Sequence, residues 1–124
     1  MPLLGSIIRK AFELRQIPID IYPVNPVREQ ARVLKKLLNR ARDTAFGARY
    51  DFDIIADQPD FMDLFRGRVP VHDYNSMFKN WWYRSLNGES YVTWPGRVKY
   101  FALTSGTSEA SSKHIPVTPD MLRA

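Results

Sequence analysis

The run Thr104, Ser105, Gly106, Thr107 and Ser108 sets hydroxyls around a single glycine, with Lys113 and Pro116 a short way beyond. These residue types suit one chemistry in particular, the holding of a polyphosphate. A glycine lets the backbone turn its N–H groups inward, hydroxyls add rotatable donors, and a lysine supplies a point charge. The run directly follows the apolar segment from Val98 to Leu103, so it reads as a strand opening into a nucleoside-triphosphate phosphate grip. The Walker-type phosphate loop is excluded. It places lysine directly after its second glycine, whereas Lys113 stands well beyond Gly106 with no glycine between them. A dinucleotide fingerprint is absent too. By composition alone the five residues read better as a polar surface loop.

The elements that must position this run are mainly helical until the last quarter of the chain. Leu3 to about Leu14 predicts a short amphipathic helix, followed by a proline-punctuated connector from Ile17 to Pro26. The clearest helix follows, with Asn25 as N-cap, Pro26 in the first position and Gly47 as the stop, running to about Phe46. Val27, Ala31, Leu34, Leu38, Ala41 and Ala45 form its apolar face. Asp60 to Phe65 predicts a shorter helix, and Asp73 caps another from Tyr74 to about Leu86. Val98 to Leu103 is the strand, Ile115 to Val117 a short second one, and Thr118 with Pro119 opens a last helix. A strand standing alone leaves two unpaired edges, so this one must join a sheet.

Several blocks occur in a set order. Leu37, Leu38 and Ala41 come first, then Thr44 to Gly47 with Tyr50, then Phe65 to Tyr74. Asn87 to Ser90, Val92 to Gly96, Tyr100 to Ser108 and Lys113 to Pro116 complete the set. Together they resemble the bacterial branch of the auxin-responsive-promoter family of acyl-acid amido synthetases, over nearly the whole chain from about Asn25. That family belongs to the acyl-adenylate-forming enzymes. The resemblance implies an α/β fold, this chain being the mostly helical N-terminal portion of the large domain, with one strand leading into the phosphate loop. It also implies a single incomplete domain over residues 1–124, the rest of the sheet, the acyl pocket and the adenine contacts lying in a longer enzyme.

The implied substrates are ATP, a carboxylic acid and an amine or amino-acid acceptor, with Mg2+ as cofactor. The implied phosphate ligands are Thr104, Ser105, Gly106, Thr107, Ser108 and Lys113, and no residue of the chain takes a catalytic role. One position departs from the family's pattern: Ala110 stands where its loop has a second glycine. On this reading the isolated segment is inactive.

Other chemistries find less support. His72 and His114 have no helical partner or carboxylate cluster, so no metal site is expected. The loop serines lack a histidine and carboxylate pair for nucleophilic catalysis. Asp51, Asp53, Asp57, Asp60 and Asp63 lack the spacing and glycine of a calcium loop. Trp81, Trp82 and Tyr83 read as core or a docking face before they read as an adenine stack. The formal net charge of +5 gathers largely between Arg28 and Arg42, where no aromatic residues interleave as single-strand binding needs, so no nucleic-acid partner is expected.

The absence of cysteine fits a reducing cytoplasm. No apolar run approaches the length of a membrane span, and Arg9 and Lys10 interrupt the N-terminal apolar stretch too early for a secretory signal. Two alternatives to the enzyme reading remain: a non-catalytic nucleotide- or partner-binding remnant, and a basic nucleic-acid-binding module. The second predicts affinity that falls steeply with salt.

Overall fold

The computed structural model describes residues 25–104 and 112–123, and the chain falls into two compact units, Met1–Gln30 and Ala31–Ala124. The helix expected near the N-terminus lies outside the described residues. Asn25 opens helix α1 (Pro26–Ala41), its Oδ1 accepting the N–H groups of Val27 at 3.1 Å and Arg28 at 3.4 Å. That satisfies donors which the first helical turn cannot pair internally. Within the second unit, Leu38 and Ala41 are buried and Leu34 packs beside them, as the helical spacing predicts.

α1 stops at Ala41, short of the expected end near Phe46, and Thr44 is the cause. Its hydroxyl donates to the Ala41 carbonyl at 2.6 Å and accepts the Gly47 N–H at 3.0 Å, so one side chain closes α1 and caps α2 (Ala45–Arg49). The N–H groups of Ala45 and Phe46 donate to the carbonyls of Tyr91 and Val92, both at 2.8 Å. These acceptors come from a loop forty-odd residues away in sequence, which no local helix rule anticipates. Gly47 is therefore no C-terminal stop. It is a buried point of close approach inside α2, where the backbone of α1 passes against it.

Helices α3 (Phe52–Ala56) and α4 (Phe61–Arg68) follow, the latter longer than the expected Asp60 to Phe65. Asp51 turns the chain between α2 and α3 with a φ of 55°, and the Arg68 guanidinium donates to its carboxylate at 3.1 Å. Leu38, Ala41, Phe52, Ile55 and Ala56 make the core, with Leu64, Phe65 and Val69 packed against it. Burying a side chain such as Leu38 or Ile55 contributes roughly 1.5–3 kcal/mol. Phe46 is the aromatic hub, its ring meeting Tyr50, Phe52 and Trp81 in edge-to-face arrangements at centroid distances of 4.8, 5.7 and 5.1 Å.

The helix expected from Tyr74 to Leu86 is present in three continuous parts: α5 (Tyr74–Met77), a π turn (Phe78–Trp82) and α6 (Tyr83–Leu86). Asp73 caps it as expected, its carboxylate accepting the Ser76 N–H at 2.7 Å. In a regular α-helix Trp82 would lie about 80° around the axis from Tyr74. The extra residue of the π turn removes most of that offset, and the two rings meet at 6.0 Å. Trp81 is buried, Trp82 half-buried and Tyr83 exposed, so these aromatics do divide between core and surface. A bidentate pair from Arg84 to Glu89, at 2.8 and 2.7 Å, closes the turn after α6.

The strand does not stand alone. Strand β1 (Tyr100–Thr104) pairs antiparallel with β2 (Lys113–Val117), in a register that sets Tyr100 opposite Val117 and Thr104 opposite Lys113. Both strands are displaced or extended by about a turn of pleat from their predicted limits, because mutual pairing defines their ends. The fold of the described residues is thus mostly helical with a small two-stranded antiparallel sheet. Helix α7 (Pro119–Arg123) follows, capped by the Thr118 hydroxyl, which accepts the Met121 N–H at 3.3 Å. Among the described residues, no helix is long and apolar enough to cross a membrane.

Candidate functional site

The sheet brings two of the six predicted phosphate ligands together. Thr104 ends β1 and Lys113 begins β2, and they face each other across the ladder. Residues directly opposite in an antiparallel pair project from the same face with Cβ atoms about 4.5–5.5 Å apart. A hydroxyl and an ammonium therefore leave the mouth of the hairpin side by side, both exposed to solvent. Ser105, Gly106, Thr107 and Ser108, together with Ala110, lie outside the described residues.

Lys113 and its neighbour are held from below by Tyr74. The Lys113 ammonium sits over the Tyr74 ring at 5.3 Å from its centroid, and the His114 N–H donates to the Tyr74 hydroxyl at 2.9 Å. Sequence reasoning placed Tyr74 as the first residue of a helix and the last of one ordered block, with no tie to Lys113. The contact crosses forty positions, so no local pattern signals it. Pro116 explains why β2 tolerates a residue without an N–H. It lies two positions after His114, whose N–H already points away from β1, so the missing donor is one the ladder does not use.

The other end of β2 is tied down through Asp120. Its Oδ2 accepts the indole N–H of Trp94 at 2.9 Å and lies 3.5 Å from the Arg40 guanidinium, while its Oδ1 lies 3.3 Å from that of Arg123. One carboxylate thus links α7 to α1 and to the loop that precedes β1. The Trp94 hydrogen bond, followed by the charges of Arg40 and Arg123, holds the Asp120 carboxyl below its usual range despite some desolvation.

A folded pKa below the unfolded one gives stability that is present above the unfolded value and lost as pH falls through the folded one. We expect Asp120 to titrate below an ordinary aspartate, and Trp94→Phe to move that titration upward. Carboxyl chemical shifts followed through an acid titration measure both. An unchanged Asp120 midpoint in Trp94→Phe would remove the indole as the main cause.

Between these anchors lies an open apolar recess of about 470 Å³, lined by Leu37, Trp82, Trp94, Ile115, Pro116 and Met121. Sequence reasoning missed it because its walls come from α1, the π turn, the loop before β1, β2 and α7. His72 joins the aromatic cluster instead, with its Nε2 3.5 Å from the Tyr50 hydroxyl and its ring 5.8 Å from Phe46. Among the described residues there is no group of three or more His, Asp or Glu side chains able to hold a metal ion. Thr104 and Lys113 fit phosphate oxygens as donor and counter-charge. A magnesium ion at this hairpin would take its oxygens from the phosphates and water, the usual arrangement for that ion.

Comparison with curated proteins and with solved structures returned no match. The family model described as the GH3 family N-terminal domain matches residues 22–124, which include every described element of the fold and both ends of the hairpin. By that match the chain belongs to the GH3 family, the auxin-responsive-promoter family of acyl-acid amido synthetases.

Proposed function

We propose that this chain is the phosphate-gripping N-terminal part of an ATP-dependent acyl-acid amido synthetase. The enzyme's carboxylic-acid substrate attacks the α-phosphorus of ATP. The bond to the β-phosphate breaks, leaving an acyl-adenylate and pyrophosphate. An amine, such as that of an amino acid, then attacks the acyl carbon. AMP departs, the nitrogen gives up a proton, and an amide remains. The observation that carries this reading is the register of the hairpin, which sets Thr104 against Lys113 at the two ends of the predicted loop in a chain of this family.

In the first step negative charge gathers on the departing pyrophosphate, so positioning and electrostatic stabilisation are what the protein contributes. On this reading the hydroxyls of Thr104, Ser105, Thr107 and Ser108 would hold phosphate oxygens, with Gly106 between them, and the Lys113 ammonium would offset the charge on the leaving group. Magnesium, where it accompanies the phosphates, would supply further charge neutralisation beside Lys113.

The test is acid-dependent exchange of labelled pyrophosphate into ATP. An enzyme carrying this segment exchanges when magnesium and a suitable carboxylic acid are present. The 124-residue chain by itself does not, because one solvent-exposed hairpin must offset an association cost of about 4 kcal/mol or more. Robust exchange by the isolated chain, or none by the enzyme across a panel of carboxylic acids, would contradict this reading.

A further inference from the structure

We propose that Tyr74 is the positioning residue for Lys113, its ring holding the ammonium and its hydroxyl anchoring the start of β2. The proposal rests on the phosphate reading of the hairpin. Independent contacts converge on this one side chain. The Lys113 ammonium lies 5.3 Å from the ring centroid, within the range where an aromatic face attracts a cation. On the adjacent residue, the outward-pointing His114 N–H donates to the Tyr74 hydroxyl at 2.9 Å. Tyr74 is itself held: its ring stacks on Phe78 at 5.8 Å with an interplanar angle of 25°, meets Trp82 at 6.0 Å, and follows the Asp73 cap.

This arrangement answers a difficulty of using lysine at an exposed hairpin mouth. The ammonium rides on a flexible four-carbon stem and would otherwise sample many positions. The ring narrows that range while leaving the N–H donors open to a ligand. A cation–π contact at an exposed site is weaker than charge-assisted hydrogen bonds to phosphate, so a polyphosphate can draw the ammonium away from the ring. The π turn belongs to the same device. It returns Trp82 to the face of Tyr74, and Trp82 braces the ring from the side.

The experiment uses an enzyme carrying this segment, with two readouts: pyrophosphate exchange, and the reactivity of Lys113 toward acetic anhydride compared with Lys79 and Lys99 by mass spectrometry. Tyr74→Leu is expected to raise the KM for ATP by roughly two- to fivefold, the range of an exposed cation–π contact. It should also increase labelling of Lys113 relative to the other two lysines. Tyr74→Phe keeps the ring, so Lys113 labelling stays near the parent value. Its loss of the hydroxyl should speed hydrogen exchange in the peptide spanning β2.

Adding Tyr74→Leu to Lys113→Ala should cost nothing further. An equal loss in the Lys113→Ala background, or unchanged relative labelling of Lys113 in Tyr74→Leu, overturns the proposal by making Tyr74 a general support of the fold. If Tyr74→Leu fails to fold, Tyr74→Phe decides: unchanged exchange in β2 then overturns the anchoring role. Normal activity in Lys113→Ala overturns the phosphate reading itself, and the labelling result identifies that failure separately.

Discussion

Gly47→Ala is expected to destabilise the domain by about 3 kcal/mol or more, although helix propensity alone argues the opposite. Gly47 lies in the middle of α2, where replacing glycine by alanine ordinarily stabilises by roughly 0.5–1 kcal/mol. Here the new Cβ would overlap the carbonyl oxygen of Ala41 and also meet the Ala41 carbonyl carbon and the Arg42 Cα. All three are backbone atoms, so no side chain can swing aside. Relief requires α1 and α2 to separate, which stretches both hydrogen bonds of the buried Thr44 hydroxyl and the bonds from Ala45 and Phe46 to the Tyr91 and Val92 carbonyls.

Overpacking alone costs roughly 1–3 kcal/mol, and leaving buried polar groups unpaired adds to it. Urea unfolding followed by tryptophan fluorescence measures the change. Gly67 is the internal control. A Cβ there meets nothing within 4 Å, so Gly67→Ala should be neutral or stabilising. If both variants shift the midpoint alike, steric closeness at Gly47 is not what decides.

Lys113→Ala is expected to lower the adenylation step of an enzyme carrying this segment by about tenfold to 150-fold. That range corresponds to a charge-assisted hydrogen bond of roughly 1.5–3 kcal/mol. The informative feature is where the loss falls. Pyrophosphate has left before the amine attacks, so amide formation from a preformed acyl-adenylate should be nearly unchanged. Single-turnover measurement of each half-reaction separates the two. Equal losses in both steps would assign Lys113 to folding or to a shared pocket, and would remove the charge from the phosphate argument. Because Lys113 is exposed at the first position of β2, its truncation should leave unfolding close to that of the parent.

Much of the local structure could be read directly from residue types. Asn25 and Pro26 mark the start of α1, Asp73 marks that of α5, and Thr118 with Pro119 marks that of α7, because a cap satisfies its donors within three residues of itself. The apolar spacing of Leu34, Leu38 and Ala41 identified the buried side of α1 for the same reason: a helix presents its period in the sequence. The hydroxyls, glycine and lysine after an apolar strand marked the stretch as a candidate polyphosphate grip, although not as a hairpin. The ordered blocks around it pointed to the family that the match over residues 22–124 establishes.

The tertiary structure decided the rest, through contacts between residues far apart in the chain. α1 ends at Ala41 because Thr44 and the distant Tyr91 and Val92 carbonyls capture the donors that would have continued it. That same packing turns Gly47 from an expected stop into a close-approach point. The two predicted strands became partners in one antiparallel hairpin because pairing energy depends on register, and neither apolar run by itself declares its partner. Tyr74 meets Lys113 and His114 only because the start of α5 and the edge of β2 converge there, and Asp120 meets Trp94 and Arg40 only after α1, the loop and α7 assemble. A sequence states periodicity and capping within a few residues. Which donors, rings and charges meet across forty or eighty positions is set by packing, where burial, pairing and close backbone approach must all be satisfied together.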